Sequence, residues 1–150
     1  MADTTARRLG LSFPVLVILA LLAVPRVVAH DLNLVGAGVN AVLVWVPLII
    51  WVVVVVGARV PNPFLTLLVV GLVYGLALAV AHQLMWDAAF GGDAPRLGGN
   101  LEGALPVAAE GTLLRVFAAV SSLITGTVVG AATGVVAWVL AKLTGRISPS

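Results

Sequence analysis

His30 and His82 are the only imidazoles in this 150-residue chain, and each has a carboxylate nearby in sequence, Asp31 and Asp87. Imidazole nitrogen with carboxylate oxygen suits zinc and similar ions, and paired imidazoles suit haem iron. An imidazole alone can carry a proton near neutral pH. Arg115, Trp86, Ser122 and Glu110 are the other residues able to join such a polar cluster. Three readings follow. In the first, His82 bonds Ser122 or a backbone carbonyl, Arg115 pairs with Asp87 or Asp31, and the cluster only anchors helices. In the second, it is the mouth of a small-solute or proton pathway through His82. In the third, His30, His82, Asp31 and Asp87 hold a metal, or the two histidines hold a haem.

The first reading is favoured. No H-x-x-E or E-x-x-H run places two metal ligands on one helix face. There is no cysteine, which excludes disulfides and thiolate-held clusters. Within the apolar stretches no serine–histidine or paired-aspartate arrangement suggests catalysis. Metal-assisted hydrolysis with Glu110 as base is the only enzymatic idea, and it is disfavoured; no cofactor is expected. The glycine-rich segment after Ala88 lacks the Gly-Lys-Ser/Thr of a phosphate loop.

The elements that must position these residues are apolar helices. The chain is 61% hydrophobic and 9% charged, against about 25% charged in soluble domains. Residues 32–58, 60–86 and 116–141 contain no Asp, Glu, Lys or Arg, and neither do residues 9–25. A helix of about 20 apolar residues crosses the hydrocarbon core. The expected fold is therefore all-α, an integral membrane four-helix bundle with antiparallel up-down helices in a single domain over 1–150. Helices are expected at about 11–29, 37–57, 63–86 and 114–141, with an outer loop at 88–113. Residues 1–29 imitate a signal peptide, but the apolar run is long and lacks a clear A-x-A site, so an uncleaved first helix is favoured. Phe90, Leu97, Leu101 and Leu105 make the outer loop too apolar for a free linker. It is expected to fold down as a cap over the helix ends.

Arg7, Arg8, Arg59, Lys142 and Arg146 fall on one side of such a bundle, and Arg26, Arg96 and Arg115 on the other. The richer side is expected to be cytoplasmic, placing both termini there in a multi-pass protein of the cell membrane. The net charge of only +2 sits at membrane edges and does not suggest nucleic acid. The expected partners are the lipid bilayer and either a second copy or another membrane protein.

Small residues recur every fourth position, at Gly71, Gly75 and Ala79 and at Ser122, Gly126, Gly130 and Gly134. Such stripes let helix backbones approach closely. Matching depth from Pro63 and Ala141 sets Gly71 opposite Gly134, Gly75 opposite Gly130 and Ala79 opposite Gly126, within one chain in preference to a homodimer. At 100° per residue, His82 and Trp86 share an arc of about 80° with the first stripe, so they face the last helix. Arg115 should face back, over Trp86, and Ser122 should lie in reach of His82.

Overall fold

A computed structural model describes residues 8–146. Arg7, counted above on the richer basic side, lies outside the described residues. The fold is all-helical, with no strand among the described residues and four helices long and apolar enough to cross a membrane. The first crossing, Phe13–Asp31, is made of α1 (Phe13–Leu21) and α2 (Val24–Asp31). The others are α3 (Ala37–Gly57), α4 (Pro63–Phe90) and α5 (Val107–Leu143), with a short 3-10 turn at Gly99–Leu101.

The first helix, expected at about 11–29, is broken between Leu21 and Val24, and the break has a cause. Pro25 has no N–H to donate and its ring crowds the carbonyl four residues earlier. The chain tightens there, Leu22 N bonding both Ile18 O (3.1 Å) and Leu19 O (3.2 Å). Trp51 of α3, fully buried, enters at this break and donates its indole N–H to Leu19 O at 2.6 Å. Pro47 does not interrupt α3. Asn33, Arg59 and Gly145 end α2, α3 and α5 in the left-handed region, each followed by an amide that reaches back five residues, as Leu34 N does to Ala29 O at 2.9 Å.

The last helix begins at Val107, not at 114. Pro106 precedes it, and Glu110 in its first turn complements the positive helix end. With 37 residues it outruns the roughly 30 Å hydrocarbon core, being about 55 Å long at 1.5 Å per residue. The outer connection therefore shrinks to residues 91–106, and its expected role as a cap is not realised. Phe90, which is the last residue of α4, and Leu101 and Leu105 are exposed.

The closest interface joins α4 and α5, which run antiparallel. A Cβ built on Gly71 would stand 2.5 Å from Gly130 Cα. One on Gly126 would stand 2.5 Å from Gly75 Cα, and one on Gly130 would stand 2.6 Å from Leu67 O. Gly134 meets the Phe64 backbone, and Ala79 is half-buried. The register thus differs from the depth-matched one, which set Gly71 against Gly134. That match treated Pro63 and Ala141 as equal depths, whereas Gly71 nests between Gly126 and Gly130, and Gly126 between Gly71 and Gly75. The remaining core, Leu16, Val27, Trp51, Val55, Leu67 and Val70, packs α1, α2 and α3 onto this pair.

Candidate functional site

The polar cluster forms where α2 ends and α4 and α5 meet. Asp31, in the last turn of α2, lies within ion-pair distance of both histidines. Its Oδ2 lies 3.1 Å from His82 Nε2 and its Oδ1 3.4 Å from His30 Nδ1. The Asp31 side chain is 18% exposed, that of His82 31% and that of His30 56%. His82 Nδ1 lies 3.1 Å from Ser122 Oγ on α5. The Ser122 hydroxyl donates to Ala118 O at 2.8 Å. That hydroxyl has one hydrogen, so while it donates to Ala118 O it can only accept from His82 Nδ1.

One turn outward, Arg115 stands 4.8 Å over the Trp86 ring, a cation–π distance. Its Nη2 donates to Asp87 Oδ1 at 3.2 Å and its Nη1 to Gln83 O at 3.5 Å. Gln83 Nε2 returns a bond to Arg115 O at 3.0 Å. Trp86 is buried and meets Phe90 edge-on at 5.0 Å. Asp87 is 93% exposed, so its pairing with Arg115 contributes little by itself. Glu110 is buried on α5 and accepts from Leu97 N, tying the loop to the helix. On the other flank Arg26 Nε donates to Asn40 Oδ1 at 3.3 Å, joining α2 to α3.

Of the four residues grouped as metal ligands, His30, His82 and Asp31 come together, while Asp87 is spent on Arg115. The histidines converge on a shared carboxylate and not across a gap from each other. Among the described residues no group of three or more His, Asp and Glu side chains is arranged to hold a metal ion. Sequence reasoning missed the Asp31–His82 contact, the reciprocal Gln83–Arg115 pair and the Trp51 bond. Asp31 and His82 lie on different helices, and only tertiary packing brings them into contact. Beside the cluster is a cavity of about 330 Å³, lined by His30, Asp31, Asn33, His82, Trp86 and Phe90 among others. No known family model matches the chain, and no curated protein or solved structure matches it either.

Glu110→Ala should free the loop. A charge-assisted hydrogen bond of about 1.5 kcal/mol corresponds to roughly tenfold faster trypsin cleavage after Arg96, read by limited proteolysis of the purified protein. An unchanged rate would show that Glu110 does not restrain the loop.

Proposed function

We propose that the protein is a multi-pass component of the cell membrane, with both termini cytoplasmic and a structural or accessory role. In this reading the outer cluster serves as an interhelical clamp. The observation that supports it is the destination of the polar groups. His82 is taken up by Ser122 and Asp31, Asp31 by both histidines, Arg115 by Asp87, Gln83 and Trp86, and Glu110 by Leu97. No buried side-chain nitrogen or oxygen among the described residues lacks a partner. A site built to receive a substrate keeps some of its donors and acceptors for that substrate.

In lipid, where helices gain no hydrophobic drive toward each other, small-xxx-small contact between α4 and α5 supplies the packing. The clamp adds polar bonds at its outer end. The partner is the bilayer, together with a second copy or another membrane protein. The second reading, entry of a proton or small solute at His82, draws on the cavity beside that ring.

Two measurements separate these. In intact cells a cysteine replacing Gly92 should react with an impermeant reagent, and cysteines at 5 and 148, outside the described residues, should not; labelling of either terminus would reverse the orientation. In liposomes the purified protein should give proton flux no higher than empty vesicles, and His82→Gln should leave thermal stability close to wild type, since an amide keeps one bond. Flux abolished by His82→Gln would establish the pathway and sink the structural role.

A further inference from the structure

Of the long helices, α3 is the least covered, with 17% of its apolar window buried against 44% for α4. It leans on the bundle through Pro47, Trp51 and Val55. Between its other side and α5 runs a groove of about 520 Å³, walled by Trp45, Leu48, Ile49 and Val53 on α3 and by Ala132 and Val136 on α5. Its one hydroxyl, Thr133, is turned back onto Val129 O at 2.8 Å, so the groove offers a ligand no polar group. Toward the helix ends it continues past Val52, Val53 and Leu140 into a recess bordered by Gly57, Thr144 and Arg146.

Arg146 is held at this rim by a 2.8 Å bond from Nη1 to Val56 O, one of the five N–H donors a guanidinium carries. Charge separates along the bundle. Arg8, Arg59, Lys142 and Arg146 lie at the rim end, and every acidic residue described, Asp31, Asp87, Asp93, Glu102 and Glu110, lies at or beyond the opposite helix ends. We infer that the α3–α5 groove binds one anionic glycerophospholipid, an acyl chain lying against Trp45, Ile49 and Val136 and the phosphate meeting Arg146. A hydrocarbon chain suits a trough without polar groups, and an anionic head suits a rim with cations only. A second copy related by a two-fold axis along the membrane normal would instead set one cationic rim beside another. This assignment does not depend on the role of the outer cluster.

Native mass spectrometry of the full chain, extracted from nanodiscs of equal phosphatidylglycerol and phosphatidylcholine, tests it. Wild type should retain one lipid per chain, with phosphatidylglycerol favoured about fivefold, the effect of one cation near an anionic head. Arg146→Gln, outside the spans, should reduce that preference to near parity. Ala132→Phe, which adds a ring at an exposed groove position, should abolish retention. Excess inorganic phosphate should displace nothing. The assignment is overturned by lipid-free wild type, by a lipid-free dimer, by an unchanged preference in Arg146→Gln, by unchanged retention in folded Ala132→Phe, or by displacement with phosphate alone.

Discussion

Gly130→Leu is expected to abolish the folded state. A Cβ at this position would stand 2.6 Å from Leu67 O and 2.8 Å from Gly71 Cα. Both neighbours are backbone, so no side chain can turn aside, and α4 and α5 must separate. Even Gly130→Ala should be costly, at about 1–3 kcal/mol, the usual range for overpacking. The controls are helical glycines with no such neighbour. A Cβ on Gly38 or Gly111 meets nothing within 4 Å. Alanine at either should be neutral or stabilising by about 0.5–1 kcal/mol, through helix propensity alone. Unfolding in mixed micelles should therefore rank Gly111→Ala at or above wild type, then Gly130→Ala, with Gly130→Leu unfolded throughout. Equal stability of Gly130→Leu and wild type would mean that the close approach of α4 and α5 does not exist.

The second large effect is expected at Trp51. Its ring is fully buried, meets Tyr74 edge-on at 5.9 Å, and gives its N–H to Leu19 O where the first crossing breaks. Trp51→Ala removes the ring and leaves a cavity where α1, α3 and α4 converge, for a loss of about 3–5 kcal/mol. Trp51→Phe keeps most of the bulk and loses only the hydrogen bond, about 1 kcal/mol. Trp45, also on α3, is 62% exposed, and Trp45→Ala should cost far less. If the alanine variants at 45 and 51 unfold together, Trp51 is not the residue that seats α3.

The apolar helices were legible because charge is costly in the hydrocarbon core, and a run such as 60–86 without Asp, Glu, Lys or Arg fits little except a membrane span. The face of α4 was legible for a similar reason. Helical geometry alone puts Gly71, Gly75, His82 and Trp86 on one side, and the structure sets His82 near Ser122 and Arg115 over Trp86. Absolute register was not legible. Both stripes repeat every four residues, so a slide of one turn preserves the pattern, and only tertiary contacts such as Gly71 with Gly126 and Gly134 with Phe64 select the register. The ends of α4 and α5 were misjudged because the helices were stopped where charge begins, at Asp87 and after Glu110. Charge ends a membrane crossing without ending a helix. The Trp51 bond was not legible, since nothing local marks Leu19 O as the acceptor of an indole N–H from another helix.

The clamp at Asp31 and His82 is the central claim, and a double-mutant cycle measures it directly. Asp31→Ala, His82→Ala and the double variant would be unfolded reversibly in mixed micelles. The His82 and Asp31 side chains stand 3.1 Å apart and are 31% and 18% exposed, so a coupling of about 1 kcal/mol is expected. The double variant should then cost clearly less than the sum of the two single variants. Strict additivity, with coupling near zero, would show that the cluster does not hold α2 to α4, and the structural role would be contradicted.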